Sequence, residues 1–171
     1  MTLSTIFAVG TLGHADTVPV HYSPEENLEY IDVALIDSAA REIDLAAYVL
    51  TDRPVIRALT RAADRGVKVR IYLDGGQLQE REPSNVFTDL EETPGVIIHT
   101  KPAGSPLMHL KSYEIDGRLL RTGAANFSAS GLKRQDNDLI VIESATAAAM
   151  IKRDFETQFS AGETLTPNSG N

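Results

Sequence analysis

Apolar and polar residues along this chain switch between a helical and a strand-like period, and the switches mark out its elements. Ser23-Pro24-Glu25-Glu26 reads as a capping box with proline at the first helical position. Behind it, Leu28, Ile31, Ala34, Leu35 and Ile36 share one stripe and predict a helix to about Ala40. Glu42 to Leu50 reads as a strand, and Asp52 as the cap of a second helix through Arg65, stopped by Gly66. Val67 to Leu73 alternates cleanly as a strand, a short helix starts at about Ser84, and Val96–His99 is the next strand. A hairpin follows, His109–Ile115 and Arg118–Arg121, turning at Asp116-Gly117. Leu139–Ile142 is a buried-type strand, residues 145–159 a last helix, and residues 162–171 a frayed tail. Helices and strands in alternation, closing on a hairpin, imply an α/β fold: a mixed sheet flanked by helices in an α-β-α sandwich.

The length of 171 residues with 42% hydrophobic content fits one domain with a proper core, placed at residues 20–161. The absence of cysteine rules out a disulfide framework and a thiolate zinc site. Residues 1–19 stand apart. Leu3 to Gly13 is mildly apolar and ends in Gly13-His14-Ala15, but only Met1-Thr2 precedes it where a secretory signal would carry a basic region. It reads either as the remnant of a signal peptide, which would make the protein periplasmic or secreted, or as an N-terminal strand, which would leave it cytoplasmic. No run approaches the roughly 18 apolar residues of a membrane span.

The formal charge of −8 advertises no nucleic-acid partner, but its distribution changes that picture. Residues 101–134 carry Lys101, Lys111, Arg118, Arg121, Lys133 and Arg134 against only Glu114 and Asp116. This locally positive segment suits an anionic substrate. It also holds His109, Lys111 and Asn126. A histidine and a lysine two apart on a strand point to one face, so a nucleophile or proton carrier would stand beside a fixed positive charge. Phosphoryl chemistry without a metal needs that pairing. Ser128, Ser130 and Lys133, with Arg134 nearby, are substrate-contact candidates, the serines equally turn and helix-cap residues. Tyr48 reads as core or pocket wall, Asp74-Gly75-Gly76 as a flexible loop at the rim of the site, and His21 and His99 as packed or exposed histidines. No His, Asp or Glu cluster has the spacing of a metal site.

His109-x-Lys111-x4-Asp116 followed by Gly123-x-x-Asn126 resembles the HxKx4D and GxxN signature of the phospholipase D superfamily, and within it the short bacterial Nuc-type endonucleases. Tyr22-Ser23-Pro24, Ile36-Asp37-Ser38-Ala39 and Arg65-Gly66-Val67-Lys68-Val69 also look like that group, so the resemblance spans roughly residues 20–160. It implies a metal-independent phosphodiesterase, a nuclease in substrate class, that needs no cofactor and proceeds through a covalent phosphohistidine. His109 would be the nucleophile or the acid/base, with Lys111 and Asn126 on the phosphoryl oxygens. Asp116 belongs to the motif, although its place at the hairpin turn points first to a structural role. The chain carries one motif where two are needed. The resemblance therefore implies a homodimer with two His109 side chains facing each other; the alternative is a monomeric, inactive relative. Two positions depart from the pattern. Ala124 stands where serine is usual, and Asn137, flanked by Asp136 and Asp138, stands where a glutamate would orient the histidine ring. Asn137 would accept from the imidazole through its amide oxygen, or a neighbouring aspartate would substitute. A phospholipase or phosphatidyltransferase and a catalytically weakened binding relative remain the other readings.

Overall fold

The computed structural model describes residues 18–79, 85–102 and 104–165. Its elements run β1 (Val20–Ser23), α1 (Leu28–Asp37), β2 (Glu42–Ala47), α2 (Arg53–Asp64), β3 (Lys68–Asp74), α3 (Gly75–Gln79), α4 (Asn85–Glu92), β4 (Val96–Lys101), β5 (Lys111–Ile115), β6 (Leu119–Thr122), α5 (Ala129–Lys133), β7 (Asn137–Glu143), α6 (Ala145–Ala161) and β8 (Glu163–Thr164). One mixed sheet takes all eight strands in the order β1-β7-β6-β5-β2-β3-β4-β8. Strands β2, β3 and β4 are parallel, joined by helical crossovers, and every other pairing is antiparallel. The expected α-β-α sandwich is what forms.

Periodicity explains the layers. Alternate residues of the central strands, Ile43 and Leu45, Val69 and Ile71, Tyr113 and Ile115, Leu139 and Val141, bury one face of the sheet. Onto it pack Leu28 and Ile36 of α1, Val55, Ile56 and Leu59 of α2, Phe87 and Leu90 of α4 and Leu132 of α5. The other face is covered by α6, whose Phe155 and Phe159 meet Ala46, Tyr72 and Met108. This second interface is partly ionic. Glu42 and Asp44 of β2 converge with Glu114 of β5 beneath α6, and the Lys152 ammonium sits among them, 3.2 Å from Glu114 and 3.6 Å from Asp44. Arg70 completes the layer by bridging Asp44 and Glu156.

Several boundaries differ from expectation for identifiable reasons. Helix α1 starts four residues after Pro24, capped by Asn27, whose side chain accepts from the Glu29 N–H at 3.0 Å. Ser23 is not a cap. It ends β1 opposite Asn137, and its hydroxyl donates to the Gln135 carbonyl at 2.7 Å. Strand β2 stops at Ala47, and Leu50 instead bridges Phe127. Asp74-Gly75-Gly76 is not a free loop: Asp74 accepts from the Gln77 N–H at 3.1 Å and opens α3. The tail is not frayed at its start. Residues 163 and 164 pair with the edge of β4, and the Leu165 N–H donates to the Ile98 carbonyl at 2.9 Å. The N-terminal signal reading and the start at Ser84 lie outside the described residues.

One ion pair lies at the heart of the main core. Arg121 and Asp32, both fully buried, meet through two 2.8 Å hydrogen bonds, and the Tyr113 hydroxyl donates to the same carboxylate at 2.9 Å. Burial beside that carboxylate pushes the Tyr113 phenol far above its ordinary value. Removing one partner strands the other charge in the core. Asp32→Ala is therefore expected to destabilise the protein by roughly 3–5 kcal/mol, measured by urea denaturation.

Candidate functional site

The site gathers at the end of the sheet where β2 and β3 finish and β5 begins. Antiparallel register sets Ala47 opposite Lys111, and one further bond, Tyr48 N–H to the Leu110 carbonyl at 2.8 Å, extends the clamp past the ladder. From the neighbouring strand, Asp74 accepts the Met108 N–H at 3.0 Å. Met108 is buried and His109, the next residue, is exposed. His109 precedes β5 instead of lying within it, yet the expected pairing forms. The Lys111 Nζ stands 3.0 Å from His109 Nδ1 and donates to the His109 carbonyl at 2.8 Å. Burial lowers the Lys111 pKa from its ordinary value. The Tyr48 ring lies 4.5 Å from the imidazole, centroid to centroid, and 5.2 Å from the Lys111 Nζ. Tyr48 also walls a cleft of about 200 Å³ with Leu50, Leu73, Asp74 and Leu78.

The second strip of the signature is held against the first by backbone geometry. Gly123 has φ of +143°, and a Cβ there would fall 2.4 Å from the Asp138 carbonyl oxygen, so no other residue fits. The Ala124 and Ala125 N–H groups then bond Asp138, at 3.0 Å to its side chain and 3.3 Å to its carbonyl. Arg121 Nη1 donates to both the Lys111 carbonyl, at 2.8 Å, and the Ala125 carbonyl, at 3.4 Å. That shared nitrogen ties the backbone just before Asn126 to the first residue of β5. The Asn126 Oδ1 is buried and has no hydrogen-bond partner among the described residues.

Other predicted site residues fall elsewhere. Asp116 closes the hairpin at the opposite end of β5, roughly 16 Å along the strand from Lys111 at about 3.3 Å per residue. Its carboxylate accepts the N–H groups of Ala40, Arg41 and Glu42 at 3.0, 2.8 and 3.0 Å. Burial works against its ionisation, but the Glu42, Ala40 and Arg41 amides hold its pKa below the ordinary value. It clamps the β5–β6 hairpin to the backbone entering β2. Ser128 caps α5, accepting from Gly131 N–H at 3.0 Å, and the Ser130 carbonyl accepts from Arg134 and Gln135. Lys133 is not free for substrate, because it pairs with Glu29 and lies 3.7 Å from Asp52. Burial pushes the Asp52 carboxyl up to about 6, against the Val55 N–H and with the Glu29 charge. Asn137 does not reach His109; its amide donates to the Gly131 carbonyl at 2.9 Å. Asp138 is spent on the Gly123–Ala125 turn, and Asp136 is exposed. Among the described residues no carboxylate orients the histidine ring.

Three of the six basic side chains of the positive segment are likewise engaged by the fold. Arg121 is buried on Asp32, Lys133 binds Glu29, and Arg118 reaches Glu143 at 4.0 Å and the Ser38 hydroxyl at 3.2 Å. Tyr48, read from sequence as a wall, turns out to touch both members of the pair. Its position one residue past a buried strand was the available signal.

Replacing Asp116 separates structural from catalytic roles. Asp116→Ala leaves three backbone N–H groups without their acceptor and is expected to lower stability by roughly 1–3 kcal/mol with kcat retained. Because the folded-state pKa is depressed, the wild-type advantage is present above the ordinary carboxyl value of 3.8 and is lost as pH falls through the folded value. Thermal unfolding of both proteins between pH 7 and pH 2 reads this directly.

The profile of the family described as "Cardiolipin synthase, PLD-like domain" matches residues 33–159. "Phospholipase D" of Rickettsia conorii is 32% identical over 115 residues, covering 63% of this chain and 52% of that protein. The chain thus spans about half the length of that relative. Among solved structures, the phospholipase D family member Nuc from Salmonella typhimurium superposes with a TM-score of 0.81 at 25% identity, over 88% of this chain and 98% of Nuc. NucT from Helicobacter pylori gives 0.79 at 20% identity, over 87% and 99%. With that profile covering most of its length and the Nuc fold shared over 88% of it, this chain belongs to the phospholipase D superfamily and is of the Nuc type.

Proposed function

We propose that the chain is a metal-independent phosphodiesterase that works through a phosphohistidine on His109, with two chains completing one site. The observation that carries this reading is the Lys111 ammonium held 3.0 Å from His109 Nδ1 on an otherwise exposed ring. A fixed cation stands beside a nucleophile whose other nitrogen, Nε2, is left to meet phosphorus. An ammonium donating to Nδ1 keeps the resting proton on Nε2. When the non-bridging phosphoryl oxygens take Lys111, the proton moves to Nδ1 and the Nε2 lone pair becomes available. Lys111 and the Asn126 amide then stabilise charge on phosphorus as the N–P bond forms and the P–O bond breaks. The leaving alkoxide takes its proton from His109 of the partner subunit. That group next deprotonates a water, which attacks phosphorus and frees His109. Ala124 removes a hydroxyl donor from this shell, which slows the reaction without changing its course.

Nucleic acid is the first substrate to test, since the signature resembles that of the short Nuc-type endonucleases. The pairing of Arg118, Arg121 and Lys133 inside the chain favours a second reading, a phospholipid headgroup, because it withdraws three of the six basic side chains of residues 101–134 from a polyanion. Incubation with single-stranded DNA or phosphatidylcholine vesicles in EDTA, followed by mass spectrometry, is expected to find a phosphoryl adduct on His109. A metal requirement, or turnover surviving in His109→Ala, would sink the reading. Lys111→Ala is expected to cut kcat by about 10²–10³ while the protein stays folded. Sedimentation should report twice the chain mass of 18.6 kDa; an active monomer would refute the two-chain site.

A further inference from the structure

Tyr48 stands where the parts of the site meet. It follows β2 directly, and its backbone N–H is fixed on the Leu110 carbonyl, so its ring is set by the β2–β5 register and not by a mobile loop. The ring lies 4.5 Å from the His109 imidazole at an interplanar angle of 53°, within the range of a favourable tilted aromatic pair. It also lies 5.2 Å from the Lys111 Nζ, inside cation–π reach. An exposed histidine held by one hydrogen bond would otherwise sample several rotamers. Among the described residues Nδ1 has only Lys111, and Asn137 is turned to Gly131.

We infer that Tyr48 is a positioning residue: its ring fixes the plane of the His109 imidazole and holds Lys111 against Nδ1, taking over the orienting role that no carboxylate fills here. The inference rests on His109 being the nucleophile, as proposed above. The ring carries the effect, because the Tyr48 hydroxyl has no hydrogen-bond partner among the described residues.

The test reads the ring and the rate separately in the full chain. The protein has four histidines, so the imidazole ¹⁵N and ¹³C resonances of His109 are assigned by their loss in His109→Ala. Tyr48→Leu is expected to broaden or shift those resonances and to lower kcat about 10- to 100-fold, with KM within about threefold, since the loss is one of geometry. Tyr48→Phe should restore both. Tyr48→Met serves as a second variant should Tyr48→Leu fail to fold, judged by its unfolding midpoint. Wild-type resonances and kcat in Tyr48→Leu and Tyr48→Met would overturn the assignment. So would a Tyr48→Phe variant as impaired as Tyr48→Leu, which would place the effect in the hydroxyl. If wild-type protein cleaves no phosphodiester, the proposed reaction fails, while the resonances still decide whether Tyr48 orders the ring.

Discussion

The buried Arg121–Asp32 pair is the constraint on which the rest of this structure depends. A guanidinium with no exposure must place its donors on acceptors, and here each acceptor belongs to a different element. Two bonds go to Asp32 on α1, one to the Lys111 carbonyl at the head of β5, and one to the Ala125 carbonyl in the turn after β6. Phe127 covers its face at 4.5 Å. The planar fork of arginine suits this task, and lysine would lack the directions to perform it. The distance between the two strips of the signature is thus set from inside the core.

That arrangement recasts the meaning of charge in the chain. Residues 101–134 are basic in sequence, but three of their six basic side chains, Arg118, Arg121 and Lys133, are held by carboxylates from other segments. Arg121 stabilises the core, Lys133 ties α5 to α1, and Lys111 lies within the site. Beneath α6 the same logic holds in reverse, where Glu42, Asp44 and Glu114 look like a ligand set and instead receive Lys152 and Arg70. Local charge in a sequence reports on surface potential only when its partners are also local.

Much of the fold was legible. The 3.6 and 2.0 periods located the strands and helices, the Asp116-Gly117 pair gave the turn with both residues at positive φ, and Asp52 and Gly66 bounded α2 correctly. Ser23 misled because a capping box is a local pattern, whereas its hydroxyl was claimed by the distant Gln135. The tail reading began too early, because residues 163 and 164 meet an open strand edge and pair with it.

For the site, the sequence by itself determined which residue types stand two and seventeen positions after His109, and that a glycine opens the segment to Asn126. The reason is that spacing along a strand and steric limits on φ are local properties. Only the tertiary structure decided who serves that chemistry. It removed Asp116 to the opposite end of β5, committed Ser128 and Lys133 to capping and pairing, turned Asn137 away from the imidazole and set Tyr48 against it. Those outcomes depend on partners up to 104 residues distant in sequence, such as Glu29 for Lys133. Side-chain partnership is a long-range competition among donors and acceptors, and no periodicity records its winner.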